Sequence, residues 1–152
     1  MRYIQTMLRL TLDTTVLFQG LRNTAGAAGA ILRLVLSRRV ELLVTYPVFC
    51  EYEEVLTRPE TLVELRLSRA EVEAILTVLA ELAVEQQIRY RIRPNLVDPA
   101  DDKFIECAFA GGANYLVTSN IRHYRRAEFP LPAEVVTPDQ FLKAWRQHHE
   151  QT

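Results

Sequence analysis

Asp13 ends a short run rich in Leu and Thr, Leu8-Arg9-Leu10-Thr11-Leu12, and is followed by two hydroxyls, Thr14 and Thr15. An ionised carboxylate at the end of a buried strand costs free energy unless something pairs with it. In an open α/β sheet the carboxyl ends of the strands are also where ligands bind. Further along the chain, Glu51 and Glu53, Asp101 and Asp102, and Asn120 offer more oxygen donors. Two carboxylates a few ångströms apart repel by roughly 4 kcal/mol at an effective dielectric near 20. Three or four therefore share a cleft only when protonated or when they hold a cation. Hard oxygens without Cys or His at ligand spacing select Mg²⁺ or Mn²⁺ over zinc. Such an ion keeps several waters and accepts phosphate oxygens, so it can supply a hydroxide for attack on a phosphodiester.

The elements that must position these residues alternate strand and helix. After the first strand, Gly20 to Ala25 is polar and glycine-bearing. Ala27 to Leu36 is helical, with Ile31, Leu34 and Val35 on one stripe, and Arg38-Arg39 suits its negative end. Val40 to Val44 reads as a buried strand. Pro47 opens a helix running to Leu56, which Arg58-Pro59 breaks. Ser68-Arg69-Ala70-Glu71 is a capping box at the head of a long helix. Ile88 to Ile92 alternates like a strand with one wet face. Asp98-Pro99 is a helix start, with Asp98 as the cap, and that helix ends at Gly111-Gly112. Tyr115 to Val117 and Val135-Val136 read as short strands. Thr137-Pro138-Asp139-Gln140 is a second capping box, opening a final helix to about His148. This alternation implies a parallel sheet. Residues 1–147 form one α/β domain, and 148–152 are expected to fray.

On a wheel of about 100° per residue, the helix from Pro47 places Val48, Phe49, Tyr52, Val55 and Leu56 on one apolar arc. Glu54 faces solvent, while Glu51 and Glu53 each lie about 40° outside the arc on opposite edges. Periodicity does not choose between them. On the helix after Asp98, the arc is Phe104, Ile105, Cys107, Ala108 and Phe109. Asp101 falls at its centre, with Asp102 and Glu106 at or beyond its edge. An acid inside an apolar stripe is not explained by solubility, although complementing the helix dipole is worth 0.3–1 kcal/mol. Asn120 follows the strand Tyr115 to Thr118 and emerges at the same edge as Asp13 if the strands are parallel.

Composition narrows the class. The chain has 152 residues, 49% of them hydrophobic, and a net charge of −1, which argues against a basic nucleic-acid glove. Its positive charge is almost all Arg, the better side chain for gripping phosphate in a fork. The exceptions are Lys103 and Lys143. No apolar run is long enough to span a bilayer, and Met1 to Gln5 leads into the first strand without a signal peptide. A cytoplasmic setting is expected. Cys50 and Cys107, far apart and without ligand-spaced partners, read as small core filler.

Four blocks in order carry a family resemblance. Leu12-Asp13-Thr14-Thr15-Val16-Leu17, Glu51-Tyr52-Glu53-Glu54-Val55-Leu56-Thr57-Arg58-Pro59, Asp98-Pro99-Ala100-Asp101-Asp102-Lys103-Phe104, and Gly111-Gly112-Ala113-Asn114-Tyr115-Leu116-Val117-Thr118 resemble the PIN-domain family, in particular its VapC-related toxins. The resemblance implies a three-layer α/β/α sandwich with a central, mostly parallel sheet. It also implies an acidic Mg²⁺ or Mn²⁺ cleft that cuts RNA, often a homodimer, and often a small antitoxin partner. It favours Glu51 over Glu53. Two positions depart from the family pattern. Thr15 stands where Asn is usual, and Asn120 where many members have Asp, although Asn followed by a His-aromatic pair such as His123-Tyr124 also occurs.

The site expected on this basis has Asp13, Glu51 and Asp101 holding the ion, directly or through water. Asn120 and Asp102 complete the shell. Thr14 and either Thr118 or Ser119 orient a water or phosphate, and Arg22 and Arg122 meet the RNA backbone. His123 matters only if it points into the cleft. Two rivals remain. One is the same fold with a weakened site that binds RNA or a protein without cutting. The other is a haloacid-dehalogenase-type phosphatase, whose nucleophile loop needs a second Asp where Thr15 stands.

Overall fold

Strand β1 (Arg9–Leu12) has Leu10, Thr11 and Leu12 wholly buried, as befits a strand covered on both faces in a parallel sheet. The computed structural model describes residues 6–86, 101–124 and 133–150. In it, β1 is the middle of a five-stranded, all-parallel sheet of order β3-β2-β1-β4-β5. β2 (Glu41–Val44) and β3 (Val84–Glu85) lie on one side. β4 (Tyr115–Val117) and β5 (Glu134–Val136) lie on the other. The register sets Arg9 beside Glu41 on the neighbouring strand, and their side chains pair at 3.1 Å. The chain builds outward from β1 to β3, then returns to the opposite flank for β4. The order therefore reverses between β1 and β4, and the crevice beyond their carboxyl ends is where such sheets bind ligands.

Seven helices among the described residues flank this sheet, making the expected α/β/α sandwich. Helix α1 (Thr14–Arg22) begins directly after β1, with Asp13 as its N-cap. The sequence reading had no helix here, because Thr14, Thr15 and Val16 favour strands. Gly20, expected in a loop, is inside α1. A Cβ there would sit 2.6 Å from Leu32 Cδ1 of α2 (Ala27–Leu36), so glycine allows the two helices to pack closely. Helix α3 (Tyr46–Leu56) is capped by the Thr45 hydroxyl and has Pro47 in its first turn. Pro59 both follows the end of α3 and opens a short helix not foreseen, α4 (Pro59–Leu65). Both arms of the capping box at Ser68 form at 3.1 Å and start α5 (Arg69–Leu82). The Thr137 box likewise starts α7 (Pro138–Glu150). That helix continues past His148, whose Nε2 lies 2.7 Å from the Thr6 carbonyl.

Helix α6 (Asp102–Gly111) ends on Gly112, which adopts the left-handed φ of 61° that glycine tolerates. The expected start at Asp98-Pro99 and the expected strand at Ile88–Ile92 lie outside the described residues. α6 packs on β1, β2 and β4 of the sheet and on α3, and seven of its ten residues are buried. Asp102 and Glu106 are buried, not at the solvent edge as the wheel placed them. Phe109, expected in the buried arc, is instead exposed, because it faces away from all four of those neighbours.

Of the two free cysteines, Cys107 is buried as expected, but Cys50 is exposed on α3, which corrects its reading as core filler. Burial pushes the Cys107 thiol up from 9.0 to about 11, so it stays protonated in the fold when the unfolded chain would already ionise. Stability is therefore expected to fall as pH rises from 9 toward 11. At pH 8, a thiol reagent should label Cys50 in the native protein and reach Cys107 only in denaturant. Rapid labelling of both thiols in native protein would contradict this burial.

Candidate active site

Asp13 is held from three directions. Its Oδ1 accepts the Thr15 N–H at 3.1 Å, completing the cap of α1. Its Oδ2 accepts the Thr118 hydroxyl at 2.9 Å and the Tyr124 hydroxyl at 3.0 Å. Its backbone N–H donates to the Val117 carbonyl at 2.9 Å, which locks the end of β1 to β4. Thr118 is wholly buried, and its hydroxyl also accepts the Asn120 N–H at 3.1 Å. Burial, with the Asp13 charge next in weight, pushes the Tyr124 phenol far above its usual range. It therefore remains a neutral donor at any working pH. The loop organisation that Asn at position 15 would provide comes here from the Thr15 backbone and the two hydroxyls.

Glu51, on α3, takes the Thr14 hydroxyl on Oε2 and the Lys103 ammonium on Oε1, the latter at 2.9 Å. Glu53 and Glu54 are exposed, and Glu54 pairs with Arg58 at 2.7 Å on the outer face. Geometry thus separates Glu51 from Glu53, which periodicity left level. Tyr52, next to Glu51 and almost completely buried, donates to the Leu12 carbonyl and ties α3 to the end of β1.

Asp101 occupies the cap position of α6 without making a side-chain cap bond. Its Oδ2 lies 3.1 Å from His123 Nδ1, and the other ring nitrogen lies 2.9 Å from Asn120 Nδ2. The ring thus bridges the two side chains, one nitrogen on Asp101 and the other on Asn120. Asn120 therefore reaches Asp101 through His123. This histidine and Asn120 are three residues apart on a single 3₁₀ turn, Ile121–Tyr124, and its approach. The spacing was visible in the sequence, but the direction of the ring was not.

Asp13, Glu51 and Asp101 line one cleft of about 540 Å³. Its wall also carries Thr14, Thr15, Ser119 and His123, with Phe18, Val55 and Arg22 farther round. Arg22 stands 4.0 Å from Glu64 across the cleft, both half exposed. Asp102 and Thr118 are buried behind the wall, and Arg122 is exposed on the 3₁₀ turn. The sequence reading missed Tyr124 and the contact of Lys103 with Glu51. Only the fold brings either to this place.

The cleft lining offers carboxylates, hydroxyls, the Gln19 amide and the His123 imidazole, with no thiol among them, a set suited to a hard divalent cation. Among the described residues, no group of three or more His, Cys, Asp or Glu side chains is arranged as a ready-made cage. Mg²⁺ does not require one, since it keeps several waters and takes one or two carboxylates plus substrate phosphate. Asp13, Glu51 and Asp101 all line the cleft. Among the described residues, no helix is long and apolar enough to cross a membrane.

No curated protein matches the sequence. The family model of the PIN domain matches residues 9–122, which is most of the chain and includes Asp13, Glu51, Asp101 and Asn120. PIN domains are typically nucleases, and they generally use divalent metals. With the parallel sheet, the acidic cleft at the strand-order reversal and this match together, the chain belongs to the PIN-domain family.

Proposed function

We propose that this protein is a Mg²⁺- or Mn²⁺-dependent endoribonuclease. The observation that carries the reading is the meeting of Asp13, Glu51 and Asp101, from three distant segments, on one cleft. Asp13 and Asp101 hold the ion, with Glu51 joining directly or through water. When bound, the ion would lower the pKa of a water and neutralise charge on the scissile phosphate. The chain's own residues do the rest. Thr118 and Tyr124 aim Asp13, and His123, held in turn by Asn120, aims Asp101. Asp102 supports the head of α6 from the interior. Thr14 and Ser119 are placed to bond a water or phosphate oxygen, and Arg22 to meet the nucleic-acid backbone, with Arg122 farther out on the surface.

The resemblance of the blocks around Asp13 and Glu51 to VapC-related toxins supports a more specific role. In it the protein is the cytoplasmic toxin of a toxin–antitoxin pair, a homodimer restrained by a small antitoxin. A second reading, a module that binds RNA or a partner without cutting, is favoured by the protein partners that each cleft carboxylate already has. One experiment decides between them. Purified protein incubated with RNA should cleave it in Mn²⁺, stop in excess EDTA and resume when Mn²⁺ is restored. RNA binding with no cleavage under any of these conditions would leave only the second reading.

A further inference from the structure

Lys103 is placed where a helix least favours a cation. It sits in the first turn of α6, against the positive end of the helix dipole. Its side chain is only 20% exposed and that of Glu51 only 18%. Ordering a flexible lysine there carries a substantial loss of rotamer freedom. What compensates is Glu51, whose Oε1 lies 2.9 Å from the ammonium while its Oε2 is taken by Thr14. Each carboxylate oxygen thus already has a protein partner, one of them a full positive charge. Sites that hold two divalent ions set them about 3.5–4 Å apart, and need a carboxylate able to serve the second ion. The ammonium already occupies that role at Glu51, and a second dication beside it would meet like charge.

On the metal-dependent reading above, we infer that Lys103 is a built-in cation standing in for a second metal ion, so that the cleft takes one divalent ion and not two. Lys103 is then a positioning residue, acting through Glu51. The alternative is a plain ion pair joining α3 to α6, which would leave ion binding untouched when removed.

The test is calorimetric titration of the intact chain with Mn²⁺ alone, for the unaltered protein, Lys103→Met and Lys103→Arg. The unaltered protein and Lys103→Arg should each bind one ion. Lys103→Met should bind a second ion. Two ions in the unaltered protein would overturn the inference, whether or not Lys103→Met folds. So would a folded Lys103→Met that still binds only one ion, whatever its affinity. No Mn²⁺ binding by any of the three would remove the metal-dependent reading itself, an outcome distinct from the other two.

Discussion

Asp13→Asn is expected to abolish manganese-dependent RNA cleavage while the chain still folds, with a stability loss of about 1–3 kcal/mol. Asn has nearly the shape of Asp but only one acceptor oxygen, and Asp13 uses both of its own. If the amide oxygen keeps the Thr15 N–H, its NH₂ faces the Thr118 and Tyr124 hydroxyls. Thr118 already accepts from the Asn120 N–H, so a second incoming donor strands its own proton. With the amide turned round, the hydroxyls are satisfied, but NH₂ opposes N–H and α1 loses a cap worth about 1 kcal/mol. Either way a buried polar group goes unpaired, and the negative charge that an ion would need is gone. Circular dichroism should show native helix content, urea denaturation a lower midpoint, and the RNA assay no product. Full cleavage by a folded Asp13→Asn protein would end the proposal that this carboxylate works in the site.

Phe104→Ala should cost about 3–5 kcal/mol, a large share of the 5–15 kcal/mol that holds a typical domain together. Phe104 has no exposed surface and lies 6.5 Å, centroid to centroid, from Tyr52 in a stacked arrangement. It is the point where α6 bears on α3, and therefore where the helix carrying Asp101 and Lys103 is fixed relative to the one carrying Glu51. The void would have little chance to close, since Tyr52, stacked on Phe104, is itself buried and tied to the Leu12 carbonyl. Urea unfolding monitored by circular dichroism would measure the loss. A value under about 1 kcal/mol would mean that the two helices do not depend on this contact.

Boundaries were legible in the sequence wherever a local rule acts alone. The boxes at Ser68 and Thr137, the proline at 47 and the glycine at 112 each concern one helix end and its nearest backbone, and each is found in place. Helix α1 was hidden because its opening residues favour strand locally, while what makes it a helix is the cap from Asp13 and its packing on α2. The wheel for α6 failed for a related reason. A helical period reveals one buried stripe, but seven of the ten residues of α6 are buried, so Asp102 and Glu106 are enclosed without any apolar signature. The choice of Glu51 over Glu53 needed Thr14 and Lys103, and the relevance of His123 needed its ring to be seen between Asp101 and Asn120.

The hydroxyls that secure Asp13 lie 105 and 111 residues downstream of it, one of them just after β4, the strand that pairs with β1 on that flank. A ribosome adding about 5–20 residues per second needs roughly 5–20 seconds to span that gap. Throughout that interval the nascent chain carries its first acid but not the groups that aim it. The cleft is thus completed only once more than three quarters of the chain has been made, so the support of Asp13 is a late event of synthesis.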